Sequence, residues 1–329
     1  MGRLRRVALS LAAFCYLAGA ALLEAQSGVS RPDTGLAWLY PASPATGQPI
    51  DTTQIHQVPH SRGRFTLAQV NNPFAPADWH PDDHPDAPEV VLHGRKPELM
   101  ACGYCHLVSG KGRPENAAIA GLPERYIVGQ LAAMKSNARA NPRPDWRPTT
   151  NMHLVALAAT RDEAASAAAY FSKLRFKPTL EVIEEAYVPR VRDAAFVLQP
   201  IKGAGTEEIG ERIVEYPLDF ERHELRDGHT EYIAYVPPGS LARGKAIALT
   251  GGGVVPPCVS CHGPGLLGND TIPPLAGRYP SYLVRQLLAF KSGARSAAAG
   301  QPMVAVVAGL SLSDMIAAAA YAASLKPGR

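Results

Sequence analysis

Two segments of this chain carry residues whose types and spacing suit a specific chemistry. They are Cys102-Gly103-Tyr104-Cys105-His106 and Cys258-Val259-Ser260-Cys261-His262. Two thiols separated by two residues can add across the two vinyl groups of one haem. The adjoining His then falls under the porphyrin face and ligates the iron, which is the c-type attachment pattern. A Cys-x-x-Cys pair alone also serves as half of a zinc site or as a redox dithiol. Two copies, each followed directly by His on a chain with export features, favour haem. The expectation is two covalently bound haem c groups, attached through Cys102, Cys105, Cys258 and Cys261, with His106 and His262 on the irons.

The export features lie at the start. Arg3, Arg5 and Arg6 precede an apolar run over residues 7–23, and Ala25-Gln26-Ser27 offers small residues for cleavage. Residues 1–27 therefore read as a secretory signal peptide, which places the mature chain in the periplasm. The alternative is an uncleaved anchor, because the apolar run is at the short edge of a spanning helix. Cys15 would leave with the signal, so that the four remaining cysteines are the haem thiols. The formal charge of +4 falls to +2 once the signal is removed, with 30 basic and 28 acidic side chains left. Such a balance gives nucleic-acid binding no support.

The chain repeats itself. Shifting by 156 residues brings Cys102, Cys105 and His106 onto Cys258, Cys261 and His262, and Ala120-Gly121 onto Ala276-Gly277. The same shift brings Tyr126, Gln130, Leu131 and Arg139 onto Tyr282, Gln286, Leu287 and Arg295. Each Tyr-to-Arg stretch has helical spacing of its apolar residues. Past it the shift becomes 151, and Met152 falls on Met303, Thr160 on Ser311 and Tyr170 on Tyr321. Thr160-x-x-Glu163 and Ser311-x-x-Asp314 are capping patterns that open a terminal helix in each copy. The alanine-rich runs that follow suit close helix contact beside a haem. Met152 and Met303, at matching places, are the expected distal iron ligands; His/Met ligation raises the potential and suits electron transfer. Met134 is a weaker candidate because its counterpart is Phe290, which cannot ligate. His153 is the serious rival to Met152, but its counterpart is Val304.

These features resemble two copies of a class I cytochrome c domain. The matching elements are Cys-x-x-Cys-His, an Ala-Gly turn, a Tyr…Gln-Leu helix, a Met-bearing loop and a terminal helix with Tyr. The tandem resembles the soluble two-haem cytochromes c of the c-four group. The fold that the resemblance implies is mainly α, with haem domains at 96–177 and 239–329. It also implies that a backbone carbonyl orients each proximal His. In the family this usually belongs to a Pro before the Ala-Gly turn, here Pro274, with Ala118 as its counterpart.

Three segments depart from the compact pattern. Residues 28–95 form an irregular extension rich in Pro, Asp and His. Its Trp79-His80-Pro81-Asp82-Asp83-His84 stretch offers metal-binding groups, though the prolines favour an extended wrap over the first domain. Residues 178–238 join the domains. Strand-like runs at 209–220 and 231–236 flank Asp227-Gly228, which reads as a β-hairpin insert. A Gly/Pro loop over residues 250–257 precedes Cys258. The joining residues 179–250 hold 8 basic and 13 acidic side chains, whereas 101–178 hold 11 and 5. The expected function is single-electron transfer between redox proteins: from a dehydrogenase or quinol-oxidising complex to an oxidase or reductase. Membrane association through such a partner is part of the same expectation. Ligation on both faces of each iron leaves no open position, so an enzyme is the less favoured reading. The alternative is a catalytic or electron-accepting subunit of a periplasmic oxidoreductase, acting on an inorganic sulfur or nitrogen compound or on peroxide.

Overall fold

The computed structural model describes residues 35–43, 51–140 and 142–328. The expected signal peptide lies outside the described residues. The extension contributes a two-strand pair, β1 (Ile55–His56) with β2 (Phe65–Thr66), and two single-turn helices, α1 (Leu67–Val70) and α2 (Glu89–Leu92). Four helices follow: α3 (Cys102–His106), α4 (Glu124–Lys135), α5 (Arg147–Ala158) and α6 (Arg161–Lys173). Strands β3 (Leu180–Glu184), β4 (Tyr187–Pro189), β5 (Val191–Ala194), β6 (Val197–Pro200), β7 (Thr206–Glu208) and β8 (Val214–Pro217) come next. Helix α7 (Phe220–Glu224) and strand β9 (Tyr232–Val236) close that segment. Five helices end the chain: α8 (Ser240–Thr250), α9 (Val259–His262), α10 (Pro280–Lys291), α11 (Gln301–Ala308) and α12 (Leu312–Ser324). No single helix among the described residues is long and apolar enough to cross a membrane.

The repeat is visible in the helices. α3, α4, α5 and α6 correspond to α9, α10, α11 and α12. Both capping boxes form: the Thr160 and Ser311 hydroxyls accept from the amides of Glu163 and Asp314, whose carboxylates accept in return from the cap amides. Each such cap contributes about 1 kcal/mol. In the first half the core gathers Val91, Leu99, Ala120, Ala168 and Phe171. In the second it gathers Ile247, Val284, Val307, Met315, Ile316 and Ala320. A fully buried side chain of the size of Phe171 or Ile316 contributes about 1.5–3 kcal/mol. The alanine run of α12 packs on α8, and so closely that Gly244 lies against the Ala317 backbone. The sequence reading had placed that close contact beside a haem.

The joining segment is more than one hairpin. β9 pairs antiparallel with β8 and parallel with β3, giving the order β3-β9-β8. Residues 218–231 between β8 and β9 include α7 as well as the Asp227-Gly228 turn, so this is no tight turn. The tight hairpin is β5–β6, whose turn residues Ala195 and Phe196 both have positive φ. A turn with φ above zero at both central residues normally selects Asn-Gly or Asp-Gly, and Ala-Phe gives no such signal. Here the Phe196 amide is held by donating to the Ala42 carbonyl of the extension at 3.2 Å.

The extension does more than cover the first half. Trp79 donates from its indole to the Leu225 carbonyl at 2.7 Å, inside a small core with Val58, Val70 and Leu225. Farther upstream, Leu39 and Tyr40 join the core of the second half. Arg285 donates to the Leu39 carbonyl, and Trp146 to that of Pro41, both at 2.9 Å.

Candidate haem site

α3 carries Cys102, Cys105 and His106 at i, i+3 and i+4, on one face of little more than one helical turn. The His106 ring donates from Nδ1 to the Ala117 carbonyl at 2.8 Å. The His262 ring donates to the Pro273 carbonyl at 2.9 Å. The two acceptors are themselves 156 residues apart, so the repeat holds at the level of one hydrogen bond. They stand one residue before the expected Ala118 and Pro274. Those carbonyls are instead used by Arg278, which donates from Nη1 to Ala118 and from Nε to Pro274. Fixing Nδ1–H to a carbonyl fixes the tautomer and leaves Nε2 as the free electron pair.

A cavity of about 520 Å³ opens against α3. Cys102, Cys105 and His106 form one wall; Leu131, Met134 and Met152 lie among the others, with Tyr282 and Gln286 of α10. The volume is that of a pocket for a cofactor-sized ligand, far more than a single zinc ion needs. Burial pushes the Cys102 thiol up to about 12, with the neighbouring Cys105 adding to the effect. Burial also raises Cys105, against the opposing pull of Arg226 and Arg113, and lowers the basicity of His106. A reactive dithiol sits in surroundings that depress the thiol pKa, so this pair does not resemble one. Neutral thiols beside an apolar cavity, with an oriented imidazole, fit haem c. In the second half, burial again raises the Cys258 thiol and lowers His262, while Cys261 is exposed.

Met152 and His153 both line the first cavity. Met303 packs against the core of the second half, as do Cys258, Tyr282 and Leu287. Neither methionine sits in a loop, as the sequence reading had it: Met152 is within α5 and Met303 is near the start of α11.

The sequence reading recorded that Arg139 matches Arg295 without giving either a role. The structure brings them together. Arg139 donates to Gln130 of its own half, and across to Gln286 at 3.0 Å and the Tyr282 hydroxyl at 3.3 Å. Arg295 does the reverse, donating to Gln286, and across to Gln130 at 2.8 Å and Tyr126 at 3.4 Å. A short antiparallel bridge joins the two arginines through their backbones. Each of these Tyr, Gln and Arg contacts has its mirror 156 residues away, as in a two-fold, self-complementary interface. Arg278 was missed altogether. Buried, it reaches Ala118 and Ala120 across the interface and covers the Phe176 ring, and burial lowers its pKa to about 10.

A buried carboxylate lies near the same seam. Glu215 of β8 accepts from the Ser281 amide at 3.1 Å, in the first turn of α10, and its other oxygen has no hydrogen-bond partner. Burial raises its pKa to about 7, partly offset by Ser281 and Arg285. The folded protein thus holds this proton more tightly than the unfolded chain. The associated stability is complete below about pH 4.5, and is lost as pH rises through 7. Glu215→Gln is expected to match the native chain in unfolding free energy at pH 4. At pH 8 it should exceed it by roughly 2–3 kcal/mol. Denaturant unfolding at the two pH values checks this; an equal difference at both would contradict it.

No protein-family model matches the chain. It is 28% identical over 210 residues to a thiosulfate dehydrogenase electron acceptor of Thiomonas intermedia (strain K12), covering 63% of this chain and 69% of that one. It is 26% identical over 230 residues to cytochrome c4 of Azotobacter vinelandii, covering 68% and 84%. A solved thiosulfate dehydrogenase (TsdBA) from Marichromatium purpuratum aligns with a TM-score of 0.47 and 26% identity, over 71% of this chain and 38% of that one. In its paired attachment motifs and over most of its length the chain is thus similar to a thiosulfate dehydrogenase electron acceptor and to cytochrome c4, at under 30% identity to each.

Proposed function

We propose that this chain is a periplasmic two-haem electron carrier that takes single electrons from a dehydrogenase or quinol-oxidising donor and passes them to an oxidase or reductase. The observation that carries the reading is the 520 Å³ cavity, with Cys102, Cys105 and His106 on one wall and Met152 on another. When bound, haem c supplies a one-electron iron couple. Cys102 with Cys105, and Cys258 with Cys261, would each tether one haem; His106 and Met152 would ligate the first iron, and His262 and Met303 the second. A thioether is soft and neutral, and favours the reduced metal. With two protein ligands to each iron, no iron position would be left for a substrate. The domains at 96–177 and 239–329 are part of the same proposal, as is export through residues 1–27.

A second reading has a specific observation behind it. His153 shares the cavity with Met152, and a displaceable or exchanged ligand would permit catalysis. The relatives named as thiosulfate dehydrogenase electron acceptors make a thiosulfate-oxidising donor the first partner to try. Spectra of the reduced protein with and without carbon monoxide separate the readings, because a carrier with both positions filled leaves its spectrum unchanged.

The haem count is directly measurable. A pyridine haemochrome assay should give two haems per chain, both resisting acid-acetone extraction. Replacing Cys102 and Cys105 together with Ala should leave one. One haem in the unmodified chain would refute the paired assignment.

A further inference from the structure

The extension and the joining segment meet at a cluster that electron transfer does not use. His80 and Asp83 come from one, and Asp227 and His229 from the other. Donation is crossed: His80 Nε2 to Asp227 Oδ1 at 2.8 Å, and His229 Nε2 to Asp83 Oδ2 at 2.5 Å. The two imidazoles are stacked at 3.7 Å, with 14° between their planes. The ligand atoms of His80, Asp227 and His229 all lie within 4.8 Å of one another.

We propose that His80, Asp227 and His229, with Asp83 as a fourth ligand, form a binding site for a divalent transition-metal cation of the zinc(II) type. The ion takes the place of the Nε2 protons of His80 and His229, which pass to Nδ1 as each imidazole changes tautomer. Tetrahedral zinc, with bonds of about 2.0–2.2 Å, sets its nitrogen and oxygen ligands about 3.3 Å apart. The donors must therefore close by an ångström or so. His229 and Asp83 are each 33% exposed and can move. Asp227 is the fixed member: its side chain is fully buried, and Arg222 grips Oδ2 from Nε and Nη2 at 2.6 Å. The His229 amide donates to Oδ1 at 2.8 Å and sets the angle of the turn. Such outer contacts orient a metal ligand. Because Arg222 offsets one carboxylate charge and two donors are imidazoles, the set suits zinc or copper better than calcium, which takes six to eight oxygens.

The position gives the ion a role. Lys111, close behind the first attachment motif, donates to the Gly228 carbonyl at 2.9 Å. Arg226 covers the Tyr104 ring at 3.9 Å and donates to the Tyr104 carbonyl at 3.0 Å, within Cys-x-x-Cys-His itself. A bound cation would staple the extension to the turn that backs the first haem attachment.

The test uses the full haem-loaded chain, stripped with a chelator and titrated with zinc chloride by calorimetry, with metal counted by mass spectrometry. One zinc per chain is expected, with at least a tenfold loss of affinity in His229→Ala and in His80→Ala. His60→Ala, an exposed extension histidine outside the cluster, should bind as the parent does. Zinc should also raise the melting temperature of the parent, and not that of the His80→Ala/His229→Ala double variant. If that double variant folds less well, His229→Gln at the exposed ligand gives the same comparison. Zinc uptake equal in parent and variants, or none in the parent, would overturn the site and leave two crossed ion pairs.

Discussion

Met152→Ala and Met303→Ala should each lower the reduction potential of one haem, on the order of 0.1 V within the roughly 0.8 V that axial ligands span. The affected iron should bind carbon monoxide, and half of the near-infrared methionine–iron charge-transfer band should disappear. The argument rests on two features. The methionines occupy matching places in the repeat, each on the helix before a capped terminal helix. Met152 also lines the cavity that His106 faces. Removing the sulfur leaves water or nothing on that side and withdraws the ligand that favours reduced iron. The paired variants locate any error. A full band in Met152→Ala would give the first iron another ligand: Met134 if Met303→Ala halves the band, His153 if Met303→Ala abolishes it, with the second assignment intact in both cases.

Gly244→Ala is expected to destabilise the chain by about 3 kcal/mol, the upper part of the usual range for overpacking. Helix propensity alone argues the other way, because Ala is favoured over Gly in a helix interior by about 1 kcal/mol. Packing decides the sign. A Cβ at Gly244 would lie 2.0 Å from the Ala317 carbonyl oxygen and 2.7 Å from the Tyr321 Cβ. The nearest obstacle is backbone and cannot swing aside, so α8 and α12 would have to separate along a seam of buried Ala and Ile. Gly129 is the internal control. It also lies within a helix, α4, but nothing stands within 4 Å of its Cβ position. Gly129→Ala should therefore gain up to about 1 kcal/mol. Thermal unfolding of the two variants side by side separates propensity from contact. Similar shifts in both would mean that α8 and α12 are not so closely packed.

What was legible in the sequence was local or repeated. The attachment motifs, the helix caps and the alignment of Arg139 with Arg295 all depend on short spacings or on comparing the chain with itself. The acceptor carbonyls were misplaced by one residue, because the family habit pointed to the prolyl position while Arg278 occupies Ala118 and Pro274. The hairpin was sought at Asp227-Gly228, and the tight turn instead uses Ala195-Phe196, whose positive φ values no residue type there announces. Other features are non-local. The parallel pairing of β3 with β9, the α10 residues in the wall of the first cavity, and the docking of Leu39 on Arg285 join segments far apart in the chain. No window of sequence contains both partners, so periodicity could not find them.

The mirrored arginine contacts carry a further consequence. A face whose Tyr, Gln and Arg bind their own counterparts is complete in a single copy, and would recognise an identical molecule as readily as its neighbour in the chain. Either half, released from the other, should therefore pair with itself. Covalent connection turns that meeting from a bimolecular encounter into an internal one, at an effective concentration on the order of millimolar. The seam can then remain polar and modest in strength, yet stay closed however dilute the protein becomes.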